Sequence, residues 1–341
     1  MVGDGRHQTD ACRTALPGEG SVFNVAIVGF GGWGRRLVGA VQGKSDRIRF
    51  TAAMTRTPSR VRDFAAGHGI ALRDNLTELL ADRSIAGVVV AGPAGLHAEH
   101  AMAAIEAGKH VLVIKPLALR RAEAEALSAA AKAKGVLLAM GYDRCFTPAV
   151  DELRRRVKAG DFGRILHAEG NFCVDRYLGL PPDDWKADIY RAMPGGLADH
   201  MLYTMIELIG PVKELYVRGL RQVMTLDVAD TVSVSLLFAN GASGLLTAIG
   251  VTATFERLHF FGSKGWAEIR GGNRFEYRPL EGAGSVTEFQ PFDALKKELE
   301  VFAAAASGDA TFPVSPENAV AGVAALEAMG KSSTSGTAIA L

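Results

Sequence analysis

Val25-Ala-Ile-Val-Gly-Phe-Gly-Gly-Trp-Gly34 decides the fold. An apolar run ends in Gly29, Gly31 and Gly34, spaced G-x-G-x-x-G, and a helix-length segment, Gly31–Gln42, follows. Each glycine has a mechanical reason at that spacing. Gly29 permits a tight turn out of the strand, Gly31 lets the backbone approach a pyrophosphate, and Gly34 lets the helix pack closely on the strand. The N-terminus of such a helix offers free N–H groups and a partial positive charge to phosphates. The turn, comprising Gly29, Phe30, Gly31, Gly32, Trp33 and Gly34, therefore reads as a dinucleotide site.

Outward from the turn, short β-branched runs alternate with Ala-rich stretches. The strand-like runs are Val22–Val28, Arg47–Met54, Gly87–Ala91, His110–Ile114 and Val136–Met140. Helical stretches fall at Gly31–Gln42, Pro58–Gly67, Leu76–Asp82, His97–Ala107 and Glu123–Lys134. Each parallel crossover needs a covering helix, so the alternation predicts a doubly wound parallel sheet, a Rossmann domain. After about Gly141 the rhythm changes. Helices are expected at Pro148–Ala159, with Arg154–Arg156 on its solvated face, and at Gly196–Ile209. Longer strand-like segments occupy Leu166–Asp175, Val212–Gly219, Ala229–Phe238, Ser243–Val251, Arg257–Gly262 and Trp266–Arg270. Asn240–Gly241 signals a hairpin, since both residues tolerate positive φ. Runs of strands with helices to one side predict an α+β domain on a mostly antiparallel sheet. The expected organisation is a disordered leader at 1–21, a nucleotide-binding domain at 22–142, and an α+β domain at 143–341 closed by helices Leu295–Ala306 and Pro316–Met329.

Bulk properties exclude several classes. The 341 residues are 48% hydrophobic and 22% charged, an ordinary globular balance long enough for two cores. Thirty-eight basic side chains against 37 acidic ones give a net charge of +1, so no global field points to nucleic acid or an anionic membrane. Cys12, Cys145 and Cys173 are scattered and lack C-x-x-C spacing, which suits a reducing compartment and neither a disulfide framework nor a structural zinc. No metal site is expected. No stretch reaches the ~20 apolar residues needed to span a bilayer, and the first 21 residues lack an apolar signal core. A cytoplasmic protein is the simplest expectation.

The end of the second strand bears on cofactor choice. NAD enzymes usually place an acid there for the ribose hydroxyls. Here no acid occurs between Arg47 and Arg62. Thr55 can hydrogen-bond a 2′-phosphate and Arg56 can clamp it, so NADP is expected over NAD; the other reading of Arg56 is a plain surface arginine. At the opposite end of the site, Val113-Ile-Lys-Pro-Leu117 closes a buried strand on Lys115. Carboxyl ends of strands in open α/β sheets face the ligand crevice, where partial desolvation can tune a lysine for acid–base work. A merely solvated strand-end lysine fits the position equally well.

Four landmarks in order make the chain resemble the glucose–fructose oxidoreductase / inositol dehydrogenase / MocA family. They are Gly29–Gly34, Gly92-Pro-Ala-Gly-Leu-His97, Ala107-Gly-Lys-His-Val-Leu-Val-Ile-Lys-Pro116, and Gly195-Gly-Leu-Ala-Asp199 opening a helix. The resemblance runs from about Val22 to the C-terminus and implies an open-faced sheet domain used partly for oligomerisation, hence a homodimer or homotetramer. It also implies NAD(P)-dependent oxidation of a sugar or cyclitol hydroxyl. By that resemblance Lys115 matches the lysine of a Glu-Lys-Pro motif that shuttles the reacting proton, with Pro116 beside it. Gly92, Pro93 and His97 match the loop bordering the nicotinamide ribose, and Asp199 the aspartate of the substrate helix. His110 reads as structural.

Two departures stand out: Ile114 replaces the motif's glutamate, and Tyr203 stands where the family commonly has a histidine. Asp199 and Tyr203, spaced i, i+4, share a helical face, and a phenol can donate to a carbonyl oxygen or assist Lys115. His200 can take the missing histidine's place only if the match slips by a few residues. Trp185, with Lys186, can line a sugar pocket or simply pack in a core. Tyr142 and Arg144 follow the last parallel strand, where they can line the domain interface, and Asp175, Arg176 and Tyr177 end a sheet strand from which they can reach the substrate. The expected function is hydride transfer between NADP and a sugar or cyclitol carbinol, with Lys115, Tyr203 and Asp199 as machinery and Trp185, Asp199, His200 and Tyr203 against the substrate. The rival reading is a nucleotide-binding sensor or scaffold with weakened catalysis.

Overall fold

The computed structural model describes residues 22–181 and 197–341. The expected leader, Trp185, Lys186 and the Gly195–Gly196 pair therefore lie outside the described residues. Strands β1 (Phe23–Val28), β2 (Ile48–Met54), β3 (Ala71–Arg73), β4 (Gly87–Val90), β5 (His110–Ile114) and β6 (Leu138–Gly141) form one parallel sheet in the order β3-β2-β1-β4-β5-β6. Helices α1 (Gly32–Val41), α2 (Arg62–Gly67), α3 (Leu76–Ala81), α4 (His97–Glu106) and α5 (Arg121–Lys134) belong to the same half. A strand covered on both faces needs apolar residues throughout, and Gly87-Val-Val-Val90 is buried at every position. The chain order reverses between β1 and β4, which places the ligand crevice at their carboxyl ends.

The second sheet has nine strands. After α6 (Pro148–Ala159) come β7 (Ile165–Cys173), α7 (Asp199–Ile209), β8 (Val212–Leu220), β9 (Thr231–Phe238), β10 (Ser243–Ile249), β11 (Phe255–Gly262), β12 (Gly265–Arg270), β13 (Arg274–Pro279) and β14 (Ser285–Glu288). Helices α8 (Ala294–Ala306) and α9 (Pro316–Ser335) and the short β15 (Ile339–Ala340) close the chain. The order is β14-β13-β12-β11-β7-β10-β9-β8-β15, antiparallel except for β7 against β10. Strict alternation makes the sheet two-faced: Val232, Val234, Leu236 and Phe238 point to the core while Ser233, Ser235 and Leu237 point away. The core face carries α7, nearly every residue of which is buried, with α9 behind it. The outer face mixes Leu237, Leu245, Phe261 and Trp266 with ion pairs linking Arg257 to Glu169 and Glu268.

The two closing helices do not stay with the second sheet. Helix α8 packs on α1, and α9 spans from α5 and β6 to α7, β8 and β15. Other local expectations also shift. Pro58–Gly67 is a single 3-10 turn at Pro58–Arg60 and then α2, because Val61 leaves helical geometry at φ −127°. At the hairpin only Gly241 takes positive φ, at +88°. Asn240 instead donates its amide to the Ile209 carbonyl and accepts from the Ala242 N–H, tying the turn to α7. Arg154 and Arg156 are not a solvated face. Arg154 pairs with Glu207 on α7, and Arg156 with Glu152 and Asp161 while lying 4.2 Å from the Tyr277 ring centroid. Among the described residues no helix is long and apolar enough to cross a membrane, and no group of His, Cys, Asp or Glu is placed to hold a metal.

Candidate functional site

The glycine turn connects β1 to α1 at the switch point. Gly29 sits at φ +96°, and a Cβ there would fall 2.3 Å from the Gly92 nitrogen, so β1 and β4 can close only over a glycine. A Cβ at Gly34 would meet the Gly29 carbonyl at 2.4 Å. Gly31 and Gly32 differ: both are exposed and nothing lies within 4 Å of a Cβ at either. The open side of the turn thus matches a ligand's approach, and the packed side the fold's own contacts. Helix α1 has no side-chain cap and no acid in its first turn, which leaves its N-terminal N–H groups for an anion. These residues fit a pyrophosphate.

The other turn residues divide by direction. The Phe30 side chain is fully buried, edge-on to Phe64, so only its backbone can face a cofactor. Trp33 is half-buried with the Arg36 guanidinium 4.6 Å from its ring centroid. Thr55 and Arg56 follow the end of β2, where the Gly29 N–H donates to the Met54 carbonyl, so they adjoin the turn. Arg56 is exposed and makes no ion pair among the described residues. His97 is set back from the crevice, 1% exposed. Its Nδ1 lies 2.7 Å from the Pro116 carbonyl and its Nε2 2.9 Å from the Gly92 carbonyl. Burial lowers its basicity despite the two carbonyls, and a neutral ring donates to one of them. It braces the Gly92–Pro93 loop against the Lys115–Pro116 turn, whose peptide is cis, and does not lie open to a ribose. His110 is also internal: its Nδ1 accepts from the Leu137 N–H.

Lys115 leaves the end of β5, its N–H bonded to the Gly141 carbonyl of β6. Its Nζ reaches the two carboxylate oxygens of Asp199, in the first turn of α7, at 2.9 and 3.0 Å. The pair joins the two halves of the chain across 84 residues, with the lysine partly open and the aspartate side chain 3% exposed. Burial raises the Asp199 carboxyl above its usual range, opposed by Lys115, the His200 N–H and Arg144. His200 is the next neighbour, its Nε2 3.9 Å from Asp199 Oδ1. Its ring stacks on Phe172 of β7 at 4.2 Å and 16°. Burial, with the charges of Lys115, Arg144 and Arg176, holds it well below the usual histidine value, and its Nδ1 is buried without a partner among the described residues. The Tyr142 hydroxyl donates to the His200 carbonyl and fixes the start of α7.

Tyr203 goes elsewhere. Its ring lies over Gly322 of α9, where a Cβ would fall 2.2 Å from Cε1, and its buried hydroxyl has no partner among the described residues. The structure thus brings Lys115, Asp199 and His200 together; the Tyr203 ring packs against the C-terminal helix, while its buried hydroxyl still feels the Asp199 charge. Arg144 and Glu256, a two-pronged ion pair beside Phe172, complete the wall. Arg144 could be suspected from its place after the last parallel strand. Glu256 carried no signal, because only the β7–β11 register sets it opposite Phe172.

Comparisons with known proteins agree with this layout. A family profile described as oxidoreductase family, NAD-binding Rossmann fold, matches residues 23–142, and the GFO/IDH/MocA C-terminal domain profile matches residues 150–268. The chain is 38% identical over 134 residues to scyllo-inositol 2-dehydrogenase (NADP(+)) of Bacillus subtilis, covering 38% of this chain and 37% of that protein. It is 31% identical over 198 residues to levoglucosan dehydrogenase of Pseudarthrobacter phenanthrenivorans, covering 50% of each. The matched stretches therefore span half or less of these curated relatives. A solved structure of levoglucosan dehydrogenase in complex with NADH and L-sorbose superposes with a TM-score of 0.82 at 20% identity, covering 94% of this chain and 99% of that one.

Proposed function

We propose, from the premise that this chain belongs to the Gfo/Idh/MocA oxidoreductase family, that it is an NADP-preferring dehydrogenase of a sugar, cyclitol or related polyol hydroxyl. The observation that carries the reading is the Lys115–Asp199 pair, set at the strand-end crevice that also holds the glycine turn. Gly31, Gly32 and the first turn of α1 would hold the pyrophosphate, Thr55 and Arg56 the 2′-phosphate. When bound, the nicotinamide supplies or accepts the hydride. Lys115 stands at the reacting oxygen: in the reducing direction its ammonium gives a proton to the developing alkoxide, and in the oxidising direction the pair takes the alcohol proton. Asp199 holds the lysine's orientation, and its raised carboxyl makes it a ready acceptor for that proton. The proton belongs to the two coupled groups together. His200, neutral and clamped on Phe172, borders the substrate. A second copy of the chain on the outer sheet face fits the exposed Leu237 and Leu245 there.

A panel of polyols and oxo-sugars, followed by nicotinamide absorbance with NADP and NAD in parallel, tests the reading. Lys115→Ala should lower kcat by about 10²–10⁴-fold with NADP affinity nearly intact. Tyr203→Phe should keep kcat within a few-fold. Retained turnover in Lys115→Ala removes the lysine from the chemistry, and a higher kcat/KM with NAD removes the preference for NADP. Tight NADPH binding with no turnover of any panel member would instead support the sensor.

A further inference from the structure

Two cations lie over one buried ring, and a third acts on the imidazole stacked against it. Phe172 faces inward from β7, with the His200 imidazole stacked on it. The Arg144 guanidinium carbon lies 4.8 Å from the ring centroid, and that of Arg176 lies 5.8 Å from it. Lys115 is the third, and all three act on His200. Two of the three are matched. Lys115 holds Asp199, and Arg144 holds Glu256 with both of its terminal nitrogens. Arg176 is exposed at the turn after β7 and has no carboxylate partner among the described residues; its exposed neighbour Asp175 makes no ion pair with it. His200 adds no compensating charge, and its Nδ1 is buried and unpartnered among the described residues. Among the described residues, this rim of the site therefore has one positive charge more than it neutralises, next to an unfilled hydrogen-bonding atom.

We propose that the substrate carries a carboxylate and that Arg176 receives it, which narrows the polyol class to hydroxy acids of the sugar-acid kind. The proposal rests on the reading of Lys115 and Asp199 as the reacting end. A planar guanidinium matches a planar carboxylate through two parallel N–H donors. A phosphate dianion fits less well, because Arg144 is already occupied by Glu256 and the nearby helix start carries Asp199, which repels a second negative charge. Phe172 sets the spacing: Arg176 meets its ring directly, whereas Lys115 is linked to that ring through Asp199 and His200, so the carboxylate and the reacting hydroxyl occupy different ends of the bound molecule.

Calorimetric titration of the NADP-loaded protein with D-glucuronate, D-glucose 6-phosphate and D-glucose, at one ionic strength, tests this. D-glucuronate should bind about tenfold or more tightly than D-glucose, the range expected of a charge-assisted hydrogen bond. Arg176→Gln should bring glucuronate down to the glucose level, Arg176→Lys should recover part of the difference, and NADP affinity should stay unchanged in both variants. Equal binding of glucuronate and glucose, no binding of glucuronate, a preference for the phosphate, or full glucuronate affinity in Arg176→Gln would each overturn the proposal. Failure of the underlying reading is distinct, since it would appear as retained turnover in Lys115→Ala, a measurement that leaves Arg176 untouched.

Discussion

Glu298 on α8 is a carboxyl group in a place with little use for one. It is 1% exposed, one oxygen has no partner among the described residues, and the Tyr142 N–H donates to the carboxyl. Burial, with the nearby Asp143, pushes it well above the usual glutamate value. The sign of the consequence follows from proton counting. Between the ordinary value near 4.5 and the raised one, the folded protein binds more protons than the unfolded chain, so stability falls as pH rises. The stabilisation is complete below the unfolded value and is lost as pH climbs through the folded one. Glu298→Gln, which stays neutral, should therefore raise the Tm, and by more at about pH 8 than at about pH 5. Thermal scans of both proteins across that interval check it; a gap that does not widen with pH would mean Glu298 is ionised and satisfied. The same residue shows why a sequence under-reports a site. Gly141 of β6 lies against it, a Cβ there falling 3.5 Å from both Glu298 oxygens, an ordinary contact between residues far apart in the chain.

At the scale of elements, the β1–α1 turn separates folding from binding. Gly29 and Gly34 are constrained by backbone, with clashes of 2.3 and 2.4 Å awaiting a Cβ, whereas Gly31 faces open space. Gly29→Ala should lower stability by about 1–3 kcal/mol through strain at positive φ and overpacking. Gly31→Ala should leave the Tm of the nucleotide-free protein within error yet weaken NADP binding at least tenfold, because its methyl occupies the ligand's path. Paired melting and nucleotide-binding measurements check both; a Gly31→Ala protein that binds normally would move the pyrophosphate elsewhere. This turn and Lys115 were legible because each depends on a local rule, strand then glycines then helix or a lysine at a buried strand end, whereas Asp199 was singled out only by the family resemblance. Elements without such a signature escaped. β3 has three residues, β14 is mostly exposed, and β15 has two. β13 did carry alternation, with Phe275 and Tyr277 inward between charged neighbours, but its arginines and Pro279 mask it. The cluster of Arg144, Phe172, His200 and Glu256 was beyond reach for a different reason: only the register of β7 on β11 and the docking of α7 bring it together.

At the scale of the molecule, α9 ties the reacting end to both halves. It packs on α5 and β6 of the parallel sheet and on α7 and β8 of the second. Its Gly322 admits the Tyr203 ring so closely that a Cβ would lie 2.2 Å from Cε1 and 2.6 Å from Cδ1. Tyr203 is one turn from Asp199, so this contact helps set where the Lys115–Asp199 pair forms. Gly322→Ala should therefore cost about 1–3 kcal/mol by overpacking, and the loss should appear as a lower Tm in one transition covering both halves. The clash involves ring carbons and not the hydroxyl, so Tyr203→Phe should not relieve it. Tyr203→Leu, which removes those carbons, should leave Gly322→Ala with little further effect, giving a coupling energy in a double-mutant cycle. Calorimetry of the four proteins checks the argument. Additive losses, or a transition that splits with only the second half destabilised, would mean that α9 covers the two sheets without coupling them.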